Sequence, residues 1–362
     1  MKILVTGAAG FIGYNLIEHM IGQGVDRVVG IDKLGYASNV QAAEILKQHP
    51  GSSFYQVNIC QKDAIRKIFA EEQPDFVIHL AAESHVDRSI DDPEEFIQTN
   101  IVGTYRLLDE ARHYFASLEA NRAKRFRFLH VSTDEVFGSL GVDGPAFTEQ
   151  SRYQPKSPYS ASKAAADHLA RAWFETYALP VIVSNGSNNY GPWQFPDKLI
   201  PLTILKAIHF SPIPVYGDGS NVRDWIHVGD HAEALLLVLK NADPGTTYNI
   251  GGNCESANID LVKTICEILD RLLPISTNPA AEKTNHSYQS YAELIEFVPD
   301  RPGHDFRYAI NNGKISTEIG WSPKRDLKQG LEATVQWYLD NESWRDAVLK
   351  DNYRLQRLGL NR

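Results

Sequence analysis

The constraint that most narrows this chain's fold is the regular alternation of short apolar runs with helix-like segments. Residues 2–6, 28–31, 54–57, 76–80, 126–132 and 179–184 are apolar and rich in β-branched residues, and read as strands. Between them, residues 11–21, 40–48, 61–72, 93–118 and 157–177 carry helical spacing. The strands show little period-two alternation. Strands of that kind are buried on both faces, as in a parallel sheet covered by helices on each side.

The first strand runs into Thr6-Gly7-Ala8-Ala9-Gly10-Phe11-Ile12-Gly13, which opens the first helix. Glycines at Gly7, Gly10 and Gly13 allow a tight turn, close approach of a pyrophosphate and close helix–sheet packing. Free N–H groups and the helix dipole then favour phosphate. Asp32 ends the second strand, where a carboxylate accepts from the adenosine ribose hydroxyls and repels a 2′-phosphate, so NAD is expected over NADP. Asn58-Ile59 and Leu80-Ala81-Ala82 end later strands on the same sheet edge and should flank the adenine and the middle of the dinucleotide. The expected fold class is α/β, a Rossmann-type doubly wound parallel sheet with a smaller, interleaved C-terminal substrate-binding domain. Residues 1–185 form the expected NAD-binding part, with about 221–245 returning to it, and 186–362 form mainly the second domain. There, strands are expected near 213–216, 222–228 and 246–250, and helices near 229–240, 258–273 and 326–341. Residues 274–304 read as polar and irregular.

Composition removes other classes. The formal net charge of −9 over 362 residues disfavours nucleic acid and anionic membranes as main partners. No apolar run approaches the roughly 20 residues of a membrane span. Cys60, Cys254 and Cys266 lie far apart without metal-ligand spacing, which suggests reduced thiols and a cytoplasmic protein. No signal-type segment is read at the N-terminus. Histidines including His79, His85, His168 and His227 form no metal-spaced cluster, so no metal is expected.

The chemistry concentrates in residues 132–163. Tyr159 and Lys163 are one helical turn apart, and a nearby ammonium is expected to lower the phenol's pKa, so that it can accept an alcohol proton while hydride leaves the same carbon. Thr133 would hydrogen-bond that oxygen. Asp134 and Glu135 follow directly and add an acid and a base, so the site could also eliminate water.

Gly7-x-x-Gly10-x-x-Gly13 with Tyr159-x-x-x-Lys163 resembles the extended short-chain dehydrogenase/reductase family. More narrowly, Asp32-Lys33-Leu34, the run from His79 to Asp87, Thr133 to Gly138, Ser187 to Pro192, Arg223-Asp224-Trp225 and Asp300 to Asp305 resemble its dTDP-glucose 4,6-dehydratase branch, nearly end to end. The resemblance implies that C4 of a nucleotide sugar is oxidised, that Glu135 removes the C5 proton, and that protonated Asp134 serves the departing C6 hydroxyl. Hydride returned to C6 would give a 4-keto-6-deoxy sugar. It also implies Lys33, Leu34, Ser84, Thr99 and Asn189 at the cofactor, and Ser84, Thr133, Asn188, Lys198, Leu199, Pro214, Tyr216 and Asn258 at the nucleotide sugar. Arg223 is expected to grip a phosphate, helped by Arg301 and His304. The apolar faces of 93–118 and 157–178 read either as burying against a twin subunit, as in relatives of this fold, or as a plain intrachain core; a homodimer is the expected state. Epimerases of the family lack the Asp-Glu pair, whereas decarboxylases and GDP-mannose dehydratases keep the Glu but usually have Ser in place of the Asp. Phe137 stands where Tyr is common and Gly186 where Cys is common. The long 274–298 stretch leaves thymine against uracil open, and with them a UDP-glucose dehydratase, a decarboxylase or an epimerase. The downstream pathway stays open among rhamnose, another deoxysugar and an antibiotic sugar.

Overall fold

A computed structural model describes residues 1–351. Its first half alternates β1 (Lys2–Thr6), α1 (Phe11–Gly22), β2 (Arg27–Asp32), α2 (Val40–Gln48), β3 (Ser52–Gln56), α3 (Lys62–Glu72) and β4 (Phe76–His79). Short α4 (Val86–Asp91) and α5 (Pro93–Phe96) lead through a π-helical stretch, Ile97–Gly103, into α6 (Thr104–Ala116). Then come α7 (Ala120–Arg125), β5 (Arg127–Thr133), α8 (Pro158–Tyr177) and β6 (Val181–Gly186). The second half contributes β7 (Asn188–Tyr190), α9 (Leu199–Ile208), β8 (Ile213–Tyr216), β9 (Val222–His227), α10 (Val228–Asn241), β10 (Thr247–Ile250), β11 (Glu255–Ala257) and α11 (Asn258–Leu272). It closes with α12 (Pro279–Glu282), β12 (Ile295–Val298), α13 (Gly313–Ile319), α14 (Leu327–Asp340) and α15 (Glu342–Asp351).

Seven strands pair in parallel in the order β10-β6-β5-β4-β1-β2-β3. The order reverses between β1 and β4, and a crevice for ligands opens at such a switch point, beyond the carboxyl ends of the strands. Register puts Thr6 beside His79, and Thr133 beside Gly186, on that edge. The interior strands are buried almost throughout, as their apolar sequences require.

After β6 the chain leaves the sheet for β7 and β9, which join β11 in a three-stranded sheet, and returns with α10, packed on α1, and with β10. A separate core holds Ile204, Leu205, Val262, Ile265, Leu331 and Tyr338 from α9, α11 and α14. The stretch read as irregular contains β12, which pairs parallel with β8 and delivers residues 299–305 to the crevice beside Tyr216.

Candidate functional site

The nucleotide turn is shaped by contact. Gly7 has φ +72°, and a Cβ there would lie 2.8 Å from the Ala81 nitrogen. A Cβ on Gly13 would lie 2.0 Å from the Gly7 carbonyl oxygen. Gly10 caps α1 without a side-chain acceptor, so the first-turn N–H groups at Phe11 and Ile12 point toward the turn. Asp32 is buried, and its carboxylate accepts from Ala9 N at 3.0 Å, Leu34 N at 2.8 Å and Ser38 Oγ at 2.8 Å. A carboxylate offers about four acceptor positions, so one remains for a ligand hydroxyl. Lys33 Nζ meets Glu83 at 2.6 Å, Glu95 at 3.1 Å and the Thr99 hydroxyl at 3.4 Å. Lys33, Asn58 and Thr99 thereby line a hollow of about 380 Å³ with Cys60, Glu95 and Gln98. Ile59 is buried close by, and Leu80, Ala81 and Ala82 extend β4 at half-buried positions, with Ala81 N donating to Thr6 Oγ1 at 3.2 Å. Asn189 is fixed by its neighbours: its Oδ1 pairs with His231 Nδ1 at 2.9 Å and its Nδ2 donates to the Ser187 carbonyl at 2.9 Å.

Thr133 ends β5 and caps a single 3-10 turn, Asp134–Phe137. Its hydroxyl donates to Asp134 Oδ1 and accepts from Glu135 N, both at 3.3 Å. Asp134 is 1% exposed, and its Oδ2 has no hydrogen-bond partner among the described residues. Burial first, then Glu135 and Asp224, push its pKa well above the ordinary aspartate value. Glu135 is half-buried and its carboxylate has no ion pair among the described residues. Burial raises its pKa too, but Arg301, Arg223 and Lys198 pull the other way. The two carboxyls thus differ: one is poised as a neutral acid and the other sits where cations favour the anion.

Tyr159 and Lys163 both lie inward on α8, whose start is fixed by a Ser157–Ser160 capping box with Pro158 at N1. Lys163 Nζ donates to the Val131 carbonyl at 2.9 Å, and burial brings its pKa down to about 8 against the pull of Asp167. The expectation that this ammonium lowers the phenol is not met. Tyr159 is pushed up instead, by burial and then by Glu135, with a Thr133 hydrogen bond opposing. Desolvation at a position this enclosed, with Glu135 beside it, sets the direction.

Arg223 has no carboxylate partner among the described residues. Its guanidinium is held by the backbone carbonyls of Val222 at 2.7 Å, Asp305 at 2.9 Å and Phe306 at 3.2 Å, over the Tyr308 ring at 4.4 Å. Arg301 Nη1 meets Asp87 Oδ1 at 2.9 Å, and its buried Nε has no hydrogen-bond partner among the described residues. Asp87 Oδ2 accepts from the Tyr216 hydroxyl at 2.9 Å. His304 packs edge-on to Tyr216 and pairs with Asp300 at 2.7 Å, and burial lowers its pKa to about 4, so it is neutral. Lys198, the N-cap residue of α9 before Leu199, donates to the carbonyl of exposed Ser84 at 3.1 Å. The Oδ1 atoms of Asn188 and Asn258 are buried without hydrogen-bond partners among the described residues. Pro214 and Tyr216 share β8, and Asn258 starts α11 two residues past the Arg223–Ser256 pairing. Sequence reasoning gave no role to Asp87, Asp224 or Tyr308. The first two sit inside the runs that carried the resemblance, but nothing local announces their partners.

The strand order, the glycine turn and Tyr159-x-x-x-Lys163 on the helix beside β5 define the class, an extended short-chain dehydrogenase/reductase. A profile described as GDP-mannose 4,6 dehydratase matches residues 4–334, and the chain is 53% identical to the dTDP-glucose 4,6-dehydratase of Neisseria meningitidis serogroup B over 99% of both chains. The chain belongs to the dTDP-glucose 4,6-dehydratase family. Two solved structures are similar throughout. The Bacillus anthracis dTDP-glucose 4,6-dehydratase in complex with NAD gives a TM-score of 0.81 at 40% identity, covering 96% of this chain and 99% of that one. The Streptomyces venezuelae enzyme, also with NAD bound, gives 0.84 at 37% identity, covering 96% and 100%.

Proposed function

We propose that this chain converts dTDP-glucose to dTDP-4-keto-6-deoxyglucose, with NAD as its resident cofactor. The observation that carries the reading is the pair Asp134 and Glu135, set in unlike environments beside Thr133 and Tyr159. The residues present suit NAD: the Gly7–Gly13 turn leaves no room for a Cβ at Gly7 or Gly13, the α1 N-terminus faces it without a side-chain cap, and Asp32 keeps an acceptor position and a charge unsuited to a 2′-phosphate. Held by the Gly7–Gly13 turn and Asp32, NAD would supply reversible hydride acceptance, from C4 and back to C6.

The chain's own residues handle protons and position. Thr133 hydrogen-bonds the C4 oxygen, and Tyr159, ionised by the positive charges of Lys163 and of a bound nicotinamide against the upward push of burial, takes the C4 hydroxyl proton. Once C4 is a ketone, the C5 proton is acidic because the carbanion delocalises into the carbonyl. Glu135 removes it, and Asp134, kept protonated by burial, gives its proton to the departing C6 hydroxyl, which leaves as water; once hydride reaches C6, protonated Glu135, exchanged with solvent, returns a proton to C5. The reaction has no net redox change. Arg223 and Arg301 supply the positive charge for the diphosphate, since Arg223 lacks a carboxylate and Arg301 shares only one. Lys198, Leu199, Pro214, Tyr216, Asn258, Asn188, His304 and Ser84 make up the rest of the nucleotide-sugar pocket, and Lys33, Leu34, Asn58, Ile59, Thr99 and Asn189 the cofactor side.

Residues 1–185 make the dinucleotide half and 186–351 mainly the substrate half, with part of the latter returning to the first; the expected bound at 362 lies outside the described residues. We read the protein as a cytoplasmic homodimer. Support for the dimer comes from the outer faces of α6 and α8, where Ala161 and Ala172 are exposed beside half-buried Ala165, Tyr105 and Trp173. Support for the cytoplasm comes from three cysteines that are all free thiols.

The test is proton NMR of product from dTDP-glucose, run beside UDP-glucose, with no NAD added. A 6-deoxy methyl signal from dTDP-glucose is expected. Simple inversion at C4 would overturn the reading, and equal conversion of UDP-glucose would overturn the assignment of the base.

A further inference from the structure

Lys163 sits where a charge is hard to keep. It is 5% exposed, and its Nζ donates to the neutral Val131 carbonyl. One turn further along α8 lies Asp167, fully buried and facing the same way. Side chains four apart on a helix have Cβ atoms about 5–6 Å apart. Asp167 is fixed by donors from three separate segments. These are His130 Nε2 on β5 at 3.0 Å, the Tyr153 hydroxyl at 2.8 Å and Asn185 Nδ2 on β6 at 3.3 Å. Burial alone would raise its pKa, but His130 and Lys163 hold it below the usual value, so it is an anion.

Among the described residues, the surrounding groups offer Lys163 no other standing counter-charge. His130 from β5 and His79 from β4 are kept neutral by burial and feel Lys163 as a repelling charge. Tyr159, on the same helix, and Asp134, in the turn after β5, are pushed up, so that without NAD both are protonated. Glu135, from the same turn, acts on Tyr159 and is opposed by Arg301 and Arg223. Arg171 is a cation and reaches the Tyr153 hydroxyl at 2.8 Å. β6 and the π-helical stretch contribute the neutral amides of Asn185 and Asn100.

We propose that Asp167 is a positioning residue for the hydride-transfer site, a buried counter-ion on the same helix that keeps Lys163 an ammonium at working pH. It rests on the reading that Tyr159 and Lys163 manage the C4 proton. The network of β5, β6 and Tyr153 is what allows an anion there: each donor satisfies a lone pair that burial would leave bare.

The test is the pH profile of kcat for wild type, Asp167→Asn, Asp167→Ser and Asp167→Glu, with folding checked by bound NAD and circular dichroism. The ammonium is lost as pH rises through the lysine pKa, so wild type should decline above about pH 8. Opposite charges that share a buried site move a pKa by as much as roughly 1–3, and Asp167 is the group that pulls Lys163 upward. Removing it should therefore move the basic limb down by about one pH unit or more in whichever neutral variant folds, while Asp167→Glu restores it toward wild type. A variant whose kcat falls equally at every pH, with the limb unmoved, would show that Asp167 only braces the helix and overturns the proposal alone. A wild-type profile with no basic limb overturns the hydride-transfer reading and the proposal together.

Discussion

Glu135 and Asp134 are similar carboxyls one peptide apart, and surroundings alone assign them different work. Replacing Glu135 with Gln removes the base. Positioned general acid–base groups contribute roughly 10²–10⁴-fold, so product formation should drop by at least 100-fold, and C5 deuterium uptake from D₂O should vanish in the proton NMR spectrum. Asp134→Asn should slow loss of the C6 hydroxyl more than C5 exchange, and equal slowing would deny a separate acid. Because burial raises Glu135, the acid-side loss of activity should come above the ordinary glutamate range: the carboxylate is needed, and it is protonated as pH falls through that raised value. Arg223→Ala should raise KM about tenfold or more, since a hydrogen bond to a charged group is worth about 1.5–3 kcal/mol. An unchanged KM in a steady-state assay would remove Arg223 from the pocket. At this scale the sequence disclosed which side chains are reactive, because residue type and spacing carry that. It did not disclose the state of the Tyr159 phenol, since that depends on Glu135 and on enclosure by several elements.

Between residues and fold, α1 and its turn make the sharpest case. Gly13→Ala would press a methyl carbon to within 2.0 Å of the Gly7 carbonyl, so the turn must open. The variant should lose most of its bound NAD, measured as nucleotide released on denaturation, and a full complement of NAD would contradict the role given to this turn. Elements whose pattern is local were legible, β1, β2, α2 and α8 among them. β6 starts at Val181 and not at 179, because Pro180 lacks an N–H for the ladder. Residues 93–118 are not one helix but α5, a π-helical stretch and α6, a break the apolar spacing does not register. No helix was expected at α9, because Pro201 interrupts its apolar run, although that proline falls in the helix's first turn, where the missing N–H costs little. The strand β12 escaped notice because it is short, half-exposed and paired with a strand about 80 residues away.

Taken whole, the molecule returns to its large sheet through α10 and β10 after building β7 and β9 elsewhere. A second region was expected from residue 186, but strand pairing at long separation is not written in local pattern. β9, within the segment expected to rejoin the first half, belongs to the three-stranded sheet. If the outer faces of α6 and α8 meet their copies, Ala165→Arg should shift the sedimentation-equilibrium mass from about twice 40.6 kDa to a single chain. A variant that keeps the doubled mass would move the interface elsewhere. The central claim is that this crevice eliminates water across C5 and C6 of a nucleotide-linked glucose, and the most direct check is to run the wild-type protein on dTDP-glucose in D₂O and locate the label by mass spectrometry and NMR. A 4-keto-6-deoxy product bearing one solvent deuterium at C5 is the predicted result. A product that retains its C5 protium, or a sugar merely inverted at C4, would contradict it.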